Sequence, residues 1–77
     1  MRYKRTLEQL LDGFVISELA EVAGIGRASI YRWMRGEASP RFVQASALAQ
    51  ALGVPAQQVV EACENSAKRS HREALRS

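Results

Sequence analysis

The sequence contains one cysteine, one histidine and no long hydrophobic run, and these shortages exclude several kinds of protein. Cys63 alone cannot form an internal disulfide, and together with His71 it cannot complete a set of metal ligands. No apolar stretch approaches the roughly 20 residues that a membrane-spanning helix needs. We therefore expect the fold to depend on packing alone, or on packing together with a partner chain.

The chain of 77 residues is too short for more than one small domain. Its 47% hydrophobic and 25% charged residues are typical of a globular protein. The sequence shows no paired carboxylates, no nucleophile beside a base and no metal-binding set, so we expect neither an enzyme nor a cofactor. Basic residues at the N-terminus are not followed by an apolar stretch, which predicts a cytoplasmic protein.

The net charge of +3 is unevenly distributed along the chain. Residues 27–41 contain four arginines and one glutamate, a net charge of +3, and residues 68–77 contain four basic residues and one glutamate, again +3. Residues 42–67 carry −2 and residues 1–26 carry −1. Basic segments of this kind are typical of proteins that bind an anionic partner with one face.

Apolar residues recur at helical spacing, and no alternating stretch is long enough to predict a pair of strands. We expect an all-α fold, a compact bundle of five helices. The first ends near residue 12, and the others cover about 16–23, 27–35, 40–52 and 55–65, with residues 66–77 either extending the last helix or fraying. Two apolar stripes are predicted to lie in the core: Leu7, Leu10, Leu11 and Phe14, on the first helix and just after it, and Phe42, Ala45, Leu48, Ala49 and Leu52 on the fourth helix.

Glycine and proline mark the predicted ends of these helices. Gly24, Gly36 and Gly53 follow apolar periodic segments, as residues that adopt the left-handed conformation at helix ends often do. Ser39 followed by Pro40 is typical of an N-cap and a first helical residue, so we expect the fourth helix to begin there.

The third predicted helix has two contrasting faces when successive residues are placed 100° apart. Ser29, Ile30, Trp33 and Met34 fall on one side, and we expect Trp33 and Met34 to pack in the core. The opposite face carries Arg27, Ala28, Tyr31, Arg32 and Arg35. Like charges repel on a solvated face, and the arrangement becomes favourable when phosphates or guanine edges approach it.

Two short helices joined by a tight glycine-containing turn predict a helix-turn-helix, whose second helix enters the major groove of DNA. Each residue at the predicted junction has a physical role there. The small side chain of Ala20 permits close approach of the helices, Gly24 makes the turn, and Ile30 fills the angle between the helices.

Residues 16–61 contain the motifs Leu19-Ala20, Gly24-Ile25, Ile30, Arg32-Trp33, Arg35-Gly36, Leu48-Ala49 and Ala51-Leu52-Gly53-Val54. With these motifs, the segment resembles the Cro and phage-repressor type of helix-turn-helix domain, also called the XRE family. The resemblance implies a five-helix fold and a regulator of transcription that binds operator DNA, very often as a homodimer. The chain departs from the family in carrying Ile16 where a glutamine is usual and Val15 where a serine or threonine cap is usual.

The resemblance also implies which residues contact the double-stranded DNA. Arg27, Ala28 and Arg32 correspond to the positions that touch base edges, where arginine can grip a guanine and alanine can meet a thymine methyl. The predicted contacts to the DNA backbone, or by stacking, are Ser17, Ser29, Tyr31, Arg35 and Arg41.

The two ends of the chain complete the prediction. Arg2, Lys4 and Arg5 are candidates for an arm that enters the minor groove. The candidate dimer contacts are Val59, Val60 and Cys63. These assignments divide the chain into a basic arm at 1–5, a DNA-binding domain at 6–65 and a basic tail at 66–77.

Two other functions fit parts of the sequence. Residues 29–35 also resemble the winged helix of excisionases, which are recombination directionality factors, but that fold requires a β-hairpin after Gly36, where the sequence predicts a helix. A protein-interaction module such as an antitoxin would hold another chain with the fourth and fifth helices, and it would require a large exposed apolar patch.

Overall fold

The structure is a computed structural model that describes residues 4–76, together with their side chains except those of residues 73, 74 and 76. The described part of the chain is all-α and contains five helices and no strand, which confirms the predicted fold class. The helices are α1 (Leu7–Leu10), α2 (Ile16–Ala23), α3 (Arg27–Met34), α4 (Phe42–Leu52) and α5 (Ala56–Arg76).

Helix α1 is a short helix with a side-chain cap at its N-terminus. Thr6 caps it: the threonine hydroxyl accepts a hydrogen bond from the Gln9 amide at 3.3 Å, and the Gln9 side-chain oxygen accepts one from the Thr6 amide at 3.0 Å. The helix ends at Leu10, two residues before the predicted end. Phe14, predicted to continue the apolar stripe, is 46% exposed, so that prediction is wrong.

The core is one cluster to which all five helices contribute. Its largest fully buried side chains are Leu7, Ile30, Leu48 and Val59, from four different helices. Burial of such side chains is the main favourable contribution to folding, about 1.5 to 3 kcal/mol for each one. The buried hydrophobic residues are Leu7, Leu10, Leu11, Leu19, Ala20, Ile30, Trp33, Ala45, Leu48, Ala49, Val59, Ala62 and Cys63.

Helix α4 begins later than predicted. Arg41, not Ser39, precedes its first turn, and the Arg41 amide donates a hydrogen bond to the side-chain oxygen of Gln44 at 2.9 Å. Phe42 is therefore the first residue of the helix, where it lies beyond the buried part of the stripe and is 72% exposed. The prediction that Phe42 packs in the core is wrong, although Ala45 and Leu48 on the same stripe are fully buried.

Helix α5 continues without a break across the predicted boundary after residue 65 and reaches Arg76. Ser66 is only 3% exposed, and its hydroxyl accepts a hydrogen bond of 2.9 Å from the amide of Leu7, the first residue of α1. The turn of α5 that follows residue 65 thus provides a hydrogen-bond acceptor for the Leu7 amide, which has no partner within α1. Neither α5 nor any shorter helix between residues 4 and 76 is apolar enough to cross a bilayer.

The end of α3 lies directly against α5 at Gly36. Gly36 has a φ of +75°, and a Cβ atom built on it would lie 2.6 Å from the carbonyl oxygen of Ser66 and 3.0 Å from the Cα of Ala67. The absence of a side chain therefore lets the two backbones approach each other. This contact fixes the position of α5 relative to α3.

Candidate nucleic-acid interface

Helices α2 and α3 form the predicted helix-turn-helix, joined by the three residues 24–26. Gly24 has a φ of +69°, in the left-handed region, and the Ile25 amide donates a hydrogen bond of 2.9 Å to the carbonyl of Ala20. This is the hydrogen-bond pattern by which glycine ends a helix. Ala20 is 5% exposed and Ile30 is fully buried, so the residues predicted to fill the junction do so.

The two faces of α3 are divided as the sequence predicts. Ile30 and Trp33 are buried, and Met34 and Ser29 are half-buried. Trp33 therefore packs in the core, as predicted. The opposite face is exposed along its whole length and carries Arg27, Ala28, Tyr31, Arg32 and Arg35.

The exposed face of α3 is strongly cationic. The helix contains no acidic residue, and the nearest acid in sequence is Glu37, whose carboxylate pairs with the guanidinium of Arg35. Both members of that pair are at least half exposed, so the pair contributes little to stability and can be exchanged for a phosphate. Arg27 and Arg32 give the exposed face of α3 a high density of positive charge. Such a surface is suited to an anion with closely spaced charges.

Two further predicted contacts lie on either side of α3. Arg41 is exposed at the start of α4, after the loop that follows Arg35. Ser17 is exposed in the first turn of α2, and the Val15 side chain makes no capping hydrogen bond there. The first-turn amides of α2 therefore receive no side-chain cap from Val15. Arg41 is suited to contact a phosphate backbone through its charge, and Ser17 is suited to do so through its hydroxyl.

The predicted N-terminal arm is partly described. Lys4 and Arg5 are exposed, and Arg2 lies outside the described residues. The carbonyl of Arg5 accepts a hydrogen bond of 2.9 Å from the side-chain amide of Asn65 on α5. The base of the arm is therefore attached to α5.

The predicted dimer contacts on α5 require a correction. Val59 is fully buried and Cys63 is 5% exposed, because both side chains pack in the core of the chain itself. Neither is available to a second subunit. Of the three predicted residues only Val60 is half-buried rather than buried.

Cys63 also has an environment that makes its thiol unreactive. Burial, with a smaller contribution from the nearby carboxylate of Glu64, raises the pKa of the Cys63 thiol from 9.0 to about 12. At pH 8 we expect the folded chain to react with a thiol reagent at least roughly a hundredfold more slowly than the chain unfolded in denaturant. Equal labelling rates in the two states would show that the thiol is accessible.

The same shift in pKa has a consequence for stability. The unfolded chain releases the thiol proton near pH 9, whereas the folded chain retains it until about pH 12. The contribution of Cys63 to the free energy of unfolding is therefore complete below pH 9 and is lost as the pH rises from 9 to 12.

A cleft of about 460 Å³ lies where α3, α5 and the start of α1 meet. Tyr31 and Arg35 line it from the exposed face of α3, and Arg69 and Ser70 line it from α5. Sequence reasoning did not identify this neighbourhood. The signal that could have indicated it is the series Ser66, Ala67 and Ser70, whose small side chains permit a close helix contact.

Comparison with known proteins agrees with this geometry. A family model described as helix-turn-helix matches residues 5–59, well over half of the chain. The match contains α1 to α4 and the first residues of α5. No curated protein and no solved structure gives a significant match.

Proposed function

The chain belongs to the Cro and phage-repressor type of helix-turn-helix domains, the XRE family of DNA-binding regulators, and on that premise we propose that it is a sequence-specific regulator that reads double-stranded DNA with α3. The observation that carries the proposal is the exposed cationic face of α3, opposite a face buried in the core. A small phage-type repressor or Cro-like protein, acting in the cytoplasm on the nucleoid, fits this description.

In the proposed complex the N-terminal part of α3 lies in the major groove. Arg27 and Arg32 each donate two hydrogen bonds to a guanine, and Ala28 contacts a thymine methyl group or leaves space for a base. Rotation by 100° for each residue places Arg32 about 140° from Arg27 and 40° from Ala28, so the three side chains span the exposed face. The helix is rigid because Ile30 and Trp33 are buried behind it.

Contacts to the DNA backbone surround this central region. Arg35 and Arg41 bind phosphates at the two ends of the loop between α3 and α4, with Arg35 exchanging Glu37 for a phosphate oxygen. Tyr31 stacks or donates to a phosphate, and Ser17 supplies a hydroxyl from α2, with Ser29 at the edge of the same face. Such contacts fix the register of the protein without reading sequence.

Selection of bound sites from random DNA with the purified protein tests the proposed function. Enrichment of a motif is the expected result, and no enrichment at moderate salt would contradict a sequence-specific regulator. We further propose that the chain binds DNA as a homodimer. A two-fold symmetric motif with half-sites about one helical turn apart is the expected sign of a dimer, whereas a single asymmetric site would indicate a monomer.

The division of roles among the arginines gives a second, sharper test. We expect Arg27→Ala and Arg32→Ala each to reduce preference for particular base pairs by about 1 to 3 kcal/mol, because each removes a contact to a base edge. Arg41→Ala should weaken binding to all sequences about equally, because a phosphate contact carries no sequence information. Competition titrations with single-base variants of the selected site measure both effects. A uniform loss in all three variants would refute these roles.

The alternative functions are less well supported by the fold. An excisionase-like wing would follow Gly36, but the described residues there form a loop, 37–41, and then the helix α4, with no strand. A protein-interaction module would account for the adjacent exposed side chains of Phe42 and Val43, which are 72% and 78% exposed. That alternative predicts no enriched DNA motif, so the same selection distinguishes it.

A further inference from the structure

Helix α5 continues beyond the matched family region, and the last part of this helix is basic. The match ends at residue 59, whereas α5 continues for 17 further residues, to Arg76. We call residues 66–76 the α5 extension. Its exposed cationic side chains include Lys68, Arg69 and Arg72, and Glu73 is its single acidic residue.

The α5 extension is held in place at its base by contacts with two other parts of the molecule. The Ser66 hydroxyl accepts the hydrogen bond from the Leu7 amide, and the backbone at residues 66–67 lies against Gly36. The Asn65 side chain, one residue earlier, donates to the carbonyl of Arg5. These contacts fix the base of the helix next to both the N-terminal segment and the end of α3.

Two basic segments that are distant in sequence therefore meet at one place. Lys4 and Arg5 are exposed beside the start of the α5 extension, because Arg5 and Asn65 are hydrogen-bonded across 60 positions of the chain. Helical rotation places Lys68, Arg69 and Arg72 within about 100° of one another on α5, with Asn65 inside the same arc. The same side of the molecule thus carries five cationic residues.

Acidic residues near this surface reduce its charge without cancelling it. Glu8 on α1 and Glu37 line the neighbouring cleft, and Glu37 is paired with Arg35. Glu61 and the exposed Glu64 lie on the same side of α5, about two turns and one turn before Lys68. The five cations outnumber Glu8, Glu61 and Glu64, and Glu37 is paired with Arg35, so the surface keeps a positive charge.

The position of the surface relates it to the face of α3. Arg69 and Ser70 line the same cleft as Tyr31 and Arg35, so the α5 extension begins at the edge of the exposed face of α3. From Arg69 to Arg76 the helix rises by about 10 Å. Duplex DNA carries one negative charge for about every 1.7 Å of its axis, so a stretch of duplex as long as this helical segment contains several phosphates.

We propose that Lys4, Arg5 and the α5 extension form a second cationic surface, which binds the phosphate backbone of duplex DNA beside the base pairs that α3 reads. The proposal rests on the proposed function of α3. This second surface contributes affinity and salt dependence and does not contribute to the choice of sequence, because it lies outside the major-groove contact.

The double variant Lys68→Gln/Arg72→Gln tests the proposal in the full chain. If both side chains bind phosphates, the slope of the logarithm of the binding constant against the logarithm of the salt concentration should decrease in magnitude by about 1.8. The preferred DNA motif should stay the same. Both side chains are exposed, so thermal unfolding followed by circular dichroism should show that the fold is retained.

A matched control separates a local contact from a general change of charge. Gln50→Glu/Gln57→Glu also lowers the net charge by two, at exposed positions on α4 and at the start of α5. Gln57 lies about 16 Å from Lys68 along the helix axis. The control should retain a salt slope close to that of the unmodified chain, and an equal change in both variants would overturn the proposal.

The outcomes also distinguish this inference from the proposed function. A motif that is selected normally, together with an unchanged salt slope in Lys68→Gln/Arg72→Gln, would refute the second surface and leave the reading by α3 intact. If no motif is selected, the proposed function fails, and the same salt titration on a duplex of random sequence still tests whether the α5 extension binds phosphates. An unchanged slope there would refute the surface as well.

Discussion

Replacement of Gly36 by alanine should lower the free energy of unfolding by about 3 kcal/mol, which for a domain of this size corresponds to a decrease in melting temperature of roughly 12 to 24 °C. Two effects add. The φ of +75° is unfavourable for a residue with a Cβ, by about 1 to 2 kcal/mol. The new Cβ would also lie 2.6 Å from the carbonyl oxygen of Ser66 and 3.0 Å from the Cα of Ala67, and backbone atoms cannot turn aside as a flexible side chain does.

Gly24→Ala is the matched control for this prediction. Gly24 also has a positive φ, +69°, but a Cβ there would meet nothing within 4 Å. This variant therefore experiences the backbone effect without the collision, and both variants gain equally from the reduced freedom of the unfolded chain. Denaturant titrations followed by circular dichroism measure the difference, which we expect to be about 1 to 2 kcal/mol in favour of Gly24→Ala. Equal destabilisation of the two variants would show that the contact with α5 does not exclude a Cβ atom at position 36.

The helix-turn-helix was predictable because its signals are local. The small Ala20, the left-handed Gly24 and the two faces of α3 lie within 16 consecutive residues, and the structure reproduces each of them. Spacing of apolar and charged residues determines which side of a helix faces the core, and this requires no knowledge of distant parts of the chain. The candidate face for DNA was therefore accessible from the sequence.

Errors occurred where periodicity was extended to the ends of helices. Phe14 and Phe42 lie in register with buried residues. An apolar stripe predicts which side of a helix faces the core, but it does not predict how far the core extends along the helix axis. Ser39 and Pro40 gave a reasonable start for α4, yet the helix begins at Phe42, after the Arg41 amide that the Gln44 side chain caps. Competing caps a few residues apart cannot be ranked from spacing alone.

The prediction of the dimer contacts was wrong because contacts between distant segments cover that side of α5. Val59 and Cys63 lie on one side of α5, and the sequence alone did not show whether α1 and α3 or a second subunit would cover that side. The structure covers them within the chain, because α5 packs against α1, α3 and α4. The role of α5 was the least predictable part of the fold, since contacts between distant segments decide it.

Removal of the α5 extension should strongly destabilise the domain, although the matched family region ends at residue 59. A chain that ends after Asn65 lacks the Ser66 hydroxyl, so the Leu7 amide at the start of α1 loses its buried partner, a loss of about 1 to 3 kcal/mol. It also lacks the contact of residues 66–67 with Gly36. We expect a total loss of about 3 kcal/mol or more, from a stability of roughly 4 to 12 kcal/mol for a chain of this length.

A chain that ends after Ser70 is the appropriate control, because it retains Ser66 and the residues that lie against Gly36 and removes only exposed or undescribed side chains beyond them. We expect its free energy of unfolding to be within about 1 kcal/mol of the full chain, since surface changes away from such contacts have small effects. The variant Ser66→Ala in the full chain isolates the hydrogen bond to Leu7. If the chains ending after Asn65 and after Ser70 unfold at the same denaturant concentration, then the domain is complete at residue 65 and α5 stabilises nothing beyond it.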